Sequence, residues 1–188
     1  LEVNQSSVVI VDEAYGDFYG QSVRGLIDKY ENLLVVGTFS KSRSLAGSRI
    51  GFAFGSSKLI AYLNDVKFSF NSYTMDALTL KIGAAALTEE SQDYYRGTVE
   101  RIIATREMGK RRLAELGFHG MDSQANFLFV KHESIPAKEI FEKLKKHKIF
   151  VRYFDKPRIN NYLRITIGTD EEMERLYEVL EEIGCSHS

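Results

Sequence analysis

The sequence of 188 residues contains a single cysteine, Cys185, close to its C-terminal end. One thiol cannot form an intrachain disulfide, and it cannot supply the cysteine cluster of a structural zinc site. The N-terminal segment LEVNQSSVVIVDEAY lacks the basic start and the cleavage pattern of a signal peptide. These absences predict a protein of a reducing compartment, the cytoplasm, without a metal site.

Long apolar runs and an excess of one charge are also missing. No apolar run approaches the roughly 20 residues that a membrane helix needs. The 25 basic and 26 acidic residues leave a net charge of -1, so nothing indicates a basic surface for nucleic acid or an anionic membrane. We therefore expect small-molecule partners, and neither nucleic acid nor a membrane.

The first two apolar runs predict a parallel sheet. Residues 8–11, VVIV, are a continuous β-branched run typical of a strand buried on both faces. A helical stretch over residues 21–30 leads to a second run at 33–36, and this order predicts parallel strands joined by a crossover. Asp12 and Lys41 follow these strand ends. Because open α/β sheets bind ligands beyond the carboxyl ends of their strands, we expect a site there.

The middle of the chain predicts one more strand and further helices. A strand over residues 49–55 precedes a helix that Ser56 can cap. Residues 68–74, FSFNSYT, predict a loop. The helical pattern then continues over 75–116, with a break near 88 and 89.

The C-terminal part predicts a second, compact α/β unit. After a turn over residues 117–124, the pattern gives a strand, a helix, two strands and a final helix. Thr169 and Glu172 have the spacing of a capping box at the start of that helix. The predicted fold is α/β, divided into residues 1–90 and 91–188.

The segment TFSKSRSLAGSRIG, residues 38–51, combines an amine, hydroxyls and a guanidinium. A lysine that loses its proton can attack an aldehyde, and burial favours that loss. Thr38, Ser40 and Arg49 together suit a phosphate dianion. Taken singly, these residues are also compatible with a solvated loop, and Lys41 with a surface lysine. An aldehyde cofactor that carries a phosphate is pyridoxal phosphate.

Asp12 and Tyr15 lie at the end of the first predicted strand. The ring nitrogen of pyridoxal phosphate needs a carboxylate partner if the ring is to stay protonated, and Asp12 is the candidate. Tyr15 could donate its phenol to the hydroxyl oxygen of the ring. The alternatives are a turn cap at Asp12 and a packed core position for Tyr15.

The segments VVIVDEAYGDF and GTFSKSRSLAGSRIGF resemble the fold-type I aminotransferases, which share D-x-x-Y and S-K-x₇-R elements in this order. The resemblance implies a pyridoxal-phosphate-dependent transferase fold like that of aspartate aminotransferase. We expect part of its large domain, with a mainly parallel sheet, and a small C-terminal α/β domain. By the same resemblance Lys41 is the catalytic, cofactor-carrying lysine, Asp12 pairs with the ring nitrogen, and Tyr15 binds the ring oxygen. The resemblance also implies that the cofactor phosphate is bound by Thr38, Ser40 and Arg49.

The C-terminal segment VRYFDKPRINNYLRITIGTDEEMERL is similar to the end of the histidinol-phosphate aminotransferases. In that family the arginine of the Y-L-R-I-T-I-G strand binds the acidic group of the substrate, and Arg164 matches it. Arg152 matches a second arginine near the substrate. A guanidinium suits both a carboxylate and a phosphate, so one site can serve both half-reactions. The alternative for Arg164 is an edge-strand arginine paired with a surface acid.

The resemblance implies transamination of histidinol phosphate and 2-oxoglutarate to imidazole acetol phosphate and glutamate, run in reverse in histidine biosynthesis. Lys41 then acts as the general base at the substrate carbon. Three alternatives stay open at this point: another fold-type I aminotransferase for aromatic or dicarboxylic amino acids, a relative of threonine-phosphate decarboxylase, and a non-catalytic aminotransferase-like effector domain of a transcription regulator.

The resemblance covers the latter half of such an enzyme, so the chain resembles a fragment of it. The family's glycine-rich phosphate turn, its stacking aromatic residue and its N-P-N-N-P-T-G asparagine have no counterpart in these residues. The family also implies a homodimer. The loop around Phe70 and Asn71 is the candidate intersubunit contact, with an ordinary connecting loop as the alternative.

Overall fold

The computed structural model describes residues 1–185, with the side chain of Asn4 excepted. The chain contains two compact units, the first from Leu1 to Val99 and the second from Glu100 onward. Each unit has its own sheet. Because both units combine a sheet with helices, the predicted α/β class is confirmed.

The sheet of the first unit has three strands in the order β1, β2, β3. β1 pairs with β2 in parallel, as predicted, and β3 pairs antiparallel with β2. The strands are β1 (Val9–Asp12), β2 (Leu33–Thr38) and β3 (Gly51–Gly55). The helices are α1 (Gly16–Tyr19), α2 (Ser57–Phe70), α3 (Ala77–Ala85) and α4 (Glu89–Glu115), the last of which begins in this unit.

The central strand β2 supplies the core of this sheet. Its residues Leu33, Leu34 and Val35 are buried. Ile10 of β1 is 62% exposed, so the prediction that β1 is buried on both faces is wrong. The run VVIV places apolar side chains on both faces, but β1 lies at the edge of the sheet and the described elements cover only one of its faces.

The predicted helix over residues 21–30 is wrong. A short 3₁₀ turn, Val23–Leu26, occupies this stretch. The carboxylate of Glu13 accepts hydrogen bonds from the Ser22 hydroxyl at 2.7 Å and from the Val23 amide at 2.8 Å. Local side-chain bonds of this kind compete with the regular hydrogen bonds of an α-helix.

The helices of the first unit begin at polar caps. The Ser56 hydroxyl accepts a hydrogen bond from the third residue after it, and the Asp76 carboxylate accepts two backbone amides at the start of α3. α2 continues to Phe70, so part of the predicted loop over 68–74 is helical, because the run FSF contains no proline or glycine to end the helix. The predicted break near 88 and 89 is confirmed between α3 and α4.

The sheet of the second unit has four strands in the order β4, β5, β7, β6, and all neighbours are antiparallel. β4 lies where the sequence predicts a turn, because Phe118 is buried and pairs with His132. The strands are β4 (Phe118–Gly120), β5 (Phe127–His132), β6 (Arg152–Tyr153) and β7 (Leu163–Thr166). The helices are α5 (Ala137–Lys146) and α6 (Asp170–Cys185).

The capping box predicted for the last helix is confirmed. The Thr169 amide donates to Oε2 of Glu172 at 2.9 Å, and the Glu172 amide donates to Oγ1 of Thr169 at 3.3 Å. Two backbone donors at the helix start are thus satisfied reciprocally. The apolar positions that follow in α6 are all buried: Met173, Leu176, Tyr177, Val179 and Leu180.

The Tyr177 phenol is a buried polar group in this core. Its oxygen finds no hydrogen-bond partner among the described residues, and burial raises the pKa of the phenol. An unpaired buried hydroxyl costs about 1–3 kcal/mol.

We expect Tyr177→Phe to raise the free energy of unfolding by about 1 kcal/mol, measured by denaturant titration. Tyr62→Phe, at an exposed position, is the control; a clear loss of stability in Tyr177→Phe alone would contradict the prediction.

Candidate functional site

The ends of β1 and β2 bring the first predicted residues to one edge of the sheet. Asp12 pairs in register with Val36, and the Glu13 amide donates to the Val36 carbonyl at 2.8 Å. Asp12 is exposed, and its Oδ1 accepts a hydrogen bond from the Ala14 amide at 2.9 Å. The turn cap considered from the sequence is therefore present, and the carboxylate still reaches solvent at the carboxyl edge.

Lys41 and Tyr15 are brought together from the segments that follow β2 and β1. The Nζ atom of Lys41 lies 5.2 Å from the centroid of the Tyr15 ring, within the range of a cation–π contact. Both residues are partly buried. The amine is thus held beside a phenol, and Tyr15 is not a fully packed core residue.

The two predicted hydroxyls form a pair after β2. The oxygens of Thr38 and Ser40 are 2.9 Å apart, and the Ser40 amide donates to the Thr38 oxygen at 3.1 Å. The Phe39 amide donates to the Ile50 carbonyl at 3.0 Å, which closes the loop that contains Lys41. The geometry gives a compact group of polar donors at the carboxyl end of β2.

Arg49 lies at the far end of the same loop. It adopts a left-handed backbone conformation with φ 54°, and its Nη1 donates to the Ala46 carbonyl at 2.9 Å. The loop closure next to it, between Phe39 and Ile50, brings its backbone near that of Ser40. Its exposed guanidinium is directed to its own loop in this structure, and no measured contact joins it to the hydroxyl pair.

Sequence reasoning missed a second charged group, which lies directly after Lys41. The hydroxyl of Ser42 donates to Oδ2 of Asp17, and Nη1 of Arg43 approaches the same oxygen at 3.2 Å. Asp17 lies in α1, two residues after Tyr15. Nothing in the local pattern SKSR indicates this contact, because its partner lies 25 or 26 positions away along the chain.

The two predicted substrate arginines lie in the second unit, directly opposite each other. Arg152 of β6 pairs in register with Arg164 of β7. Residues opposite each other in antiparallel strands point to the same face, and like charges in such a pair are destabilising. The edge-strand alternative for Arg164 is wrong, because β7 lies between β5 and β6.

Aromatic rings flank both arginines. The guanidinium carbon of Arg164 is 5.4 Å from the Phe127 ring centroid, and that of Arg152 is 5.6 Å from Phe154. The Nε atom of Arg164 is buried and has no hydrogen-bond partner among residues 1–185. Two neighbouring cations with an unpaired donor suit an anionic ligand such as a carboxylate or a phosphate.

Residues 1–185 were also searched for metal-binding groups and for membrane-spanning helices. No group of three or more histidine, cysteine or acidic side chains is arranged to hold a metal ion. No described helix combines the length and the apolar character needed to cross a bilayer.

A family profile, "Aminotransferase class I and II", matches residues 1–180. The curated histidinol-phosphate aminotransferase of Lactococcus lactis subsp. cremoris (strain SK11) is 52% identical over 182 residues, which are 97% of this chain and 51% of that protein. The histidinol-phosphate aminotransferase of Chromohalobacter salexigens is 51% identical over 183 residues, with 97% and 52% covered. The chain thus spans about half the length of the curated relatives it matches.

Solved structures of the same kind share the fold. The crystal structure of histidinol-phosphate aminotransferase from Clostridium acetobutylicum matches with a TM-score of 0.86 at 21% identity, over 97% of this chain and 55% of that one. The structure from Sinorhizobium meliloti, in complex with pyridoxal-5'-phosphate, matches with a TM-score of 0.82 at 26% identity, over 98% and 50%.

Proposed function

The chain belongs to the class I and II aminotransferase family, and from this premise we propose that it serves pyridoxal-phosphate-dependent transamination of histidinol phosphate and 2-oxoglutarate. The observation that carries the proposal is the position of the Lys41 amine over the Tyr15 ring, in the segment that also contains the hydroxyl pair of Thr38 and Ser40. The curated relatives, which are 52% and 51% identical in sequence to this chain, support the choice of substrate.

The polar groups at the carboxyl ends of β1 and β2 fit the functional groups of pyridoxal 5'-phosphate. An amine suits its aldehyde, and paired hydroxyls suit its phosphate. The exposed Asp12 carboxylate suits the ring nitrogen, and the Tyr15 phenol suits the ring oxygen. When bound, this cofactor supplies a protonated ring that withdraws electrons from the reacting carbon.

In this proposal the residues of the site bind the cofactor, and Lys41 also transfers a proton. Lys41 carries the cofactor and, as a free amine, moves the proton that leaves the substrate carbon. Thr38 and Ser40 bind the phosphate as hydroxyl donors. Arg49 joins them by exchanging its Ala46 contact for the phosphate, since a doubly charged ligand forms a stronger hydrogen bond than a neutral carbonyl.

Arg164 and Arg152 bind the acidic group of the substrate in this proposal. Their facing positions concentrate two positive charges, and the unpaired Nε of Arg164 gains a partner when an anion binds. Histidinol phosphate offers a phosphate where glutamate offers a carboxylate, and a planar guanidinium binds both.

We further propose a cytoplasmic homodimer. The single cysteine supports the location, because it indicates a reducing compartment. Large exposed apolar side chains near the end of α2 support association, since Phe70 is 91% and Tyr73 is 92% exposed. The segment around Phe70 and Asn71 is the proposed contact between subunits.

Borohydride trapping tests the cofactor assignment. Pyridoxal phosphate is added to the protein, the absorbance spectrum is recorded, and the link to lysine is reduced and mapped by peptide mass spectrometry. We expect a new absorbance band and label concentrated on Lys41. Lys29, whose Nζ lies 4.9 Å from the Tyr30 ring, is the internal control.

Label spread equally over Lys29, Lys41 and other accessible lysines would contradict the assignment. Because the chain spans about half the length of its curated relatives, the same measurement is made on a longer polypeptide that contains these 188 residues. Label on Lys41 in that polypeptide alone would show that cofactor binding needs residues outside this sequence.

A further inference from the structure

The Asp17 carboxylate joins the two segments that carry Tyr15 and Lys41. It accepts the Ser42 hydroxyl and lies 3.2 Å from Nη1 of Arg43. Ser42 is the residue after Lys41, and Asp17 is the second residue after Tyr15. One acidic side chain therefore connects α1 to the two residues that follow Lys41.

Arg43 is held more firmly than a surface arginine. Its guanidinium carbon lies 4.9 Å from the Phe39 ring centroid and 4.2 Å from that of Tyr95, and its side chain is only 12% exposed. Nη2 also donates to the side-chain oxygen of Gln92 at 3.3 Å. The two ring contacts and the two polar partners together restrict the Arg43 side chain.

These contacts close a ring through the site. The chain runs from Tyr15 to Asp17, and hydrogen bonds join Asp17 to Ser42 and Arg43. These are the two residues after Lys41, whose Nζ lies 5.2 Å from the centroid of the Tyr15 ring. Any widening between α1 and the loop moves the amine away from the phenol. The separation of the two reactive groups therefore depends on Asp17.

We propose that Asp17 is a positioning residue that, through Ser42 and Arg43, holds the Lys41 amine against the Tyr15 phenol. In this proposal Asp17 acts on the Lys41 amine only through Ser42 and Arg43, and it takes no direct part in the reaction. Its catalytic importance rests on the proposed function, whereas its structural effect on Lys41 does not.

Competitive labelling of lysine amines tests the proposal without any cofactor. The folded protein is treated with a trace of a small amine-acylating reagent at fixed pH, and the labelling rate of Lys41 is divided by that of Lys29. Lys29 is the reference, because its Nζ also lies over a tyrosine ring, at 4.9 Å, and its ion-pair partner is Glu2 rather than Asp17. The ratio reports the accessibility and the reactivity of the Lys41 amine.

Asp17→Ala removes the acceptor of both the Ser42 hydroxyl and the Arg43 guanidinium, so it is expected to raise the Lys41 to Lys29 ratio by about fivefold. Asp17→Asn keeps an acceptor oxygen for Ser42 and Arg43, so it should restore the ratio to within about twofold of the original. A folded Asp17→Ala variant with an unchanged ratio would overturn the proposal.

Ser42→Ala provides the second variant if Asp17→Ala does not fold. It removes one donor and leaves the Arg43 contacts in place, so a rise of about two- to threefold is expected. An unchanged ratio in this variant would overturn the proposal equally. Because no cofactor is present, neither result depends on whether Lys41 binds pyridoxal phosphate.

Discussion

Lys41→Arg is expected to abolish covalent attachment of pyridoxal phosphate and to lower the transamination rate by about 10²–10⁴-fold, the contribution of a positioned general base. Arginine preserves the positive charge and the approximate length of the side chain. Its guanidinium stays protonated in proteins, so it can neither attack an aldehyde nor accept a proton from carbon. Formation of glutamate from 2-oxoglutarate and histidinol phosphate measures the rate.

Lys29→Arg is the matched control for this substitution. Lys29 also lies over a tyrosine ring, but it is paired with Glu2 and is assigned no role in the site, so its replacement should leave the rate unchanged. The assignment of Lys41 would fail if Lys41→Arg retained the rate of the unchanged protein. It would also fail if Lys29→Arg lost activity to the same extent.

Arg164→Met is expected to lower kcat/KM by about 30- to 1,000-fold, as removal of one partner from a buried charged pair costs about 2–4 kcal/mol. Methionine keeps much of the apolar stem next to Phe127 and removes the donors. In the proposed function both half-reactions should slow, because the same guanidinium is assigned to the carboxylate of glutamate and to the phosphate of histidinol phosphate. Single-turnover kinetics with each substrate separates the two.

Arg175→Met is the control for Arg164→Met. Arg175 is an exposed arginine of α6 that pairs with Glu178, and its loss should change kcat/KM by less than about twofold. A second readout needs no turnover: inorganic phosphate should raise the thermal unfolding temperature of the unchanged protein more than that of Arg164→Met. Equal phosphate stabilisation of both proteins would contradict an anion site at Arg164.

Short-range patterns predicted the parts of the fold that depend on neighbouring residues. The break between α3 and α4 and the capping box of Thr169 and Glu172 involve groups only a few positions apart. The parallel pairing of β1 and β2 was also predicted correctly, although the helix expected between them is absent. For the break and the capping box, sequence alone was sufficient because the relevant hydrogen bonds lie within a few residues.

The helix expected over residues 21–30 shows where local patterns are insufficient. Glu13, nine residues before Ser22, supplies hydrogen bonds that favour a 3₁₀ turn. β4 is a similar case, since Phe118 becomes a strand residue only by pairing with His132. Helical periodicity does not contain information about partners that the folded chain supplies.

The candidate site divides in the same way. The sequence by itself determined the family, the α/β class, and the residue types at the ends of β1 and β2, including Asp12 and Lys41. Those features follow from residue order, because parallel strands bring their carboxyl ends to one edge. The types of functional group at this edge could therefore be inferred from the sequence.

Only the tertiary structure decided which of these groups meet. It places the Lys41 amine over Tyr15, joins Asp17 to Arg43, and sets Arg152 opposite Arg164. Arg43 meets Gln92 across 49 positions of sequence. Such contacts depend on strand register and helix packing, which sum many weak interactions over the whole unit, so no short stretch of sequence specifies them.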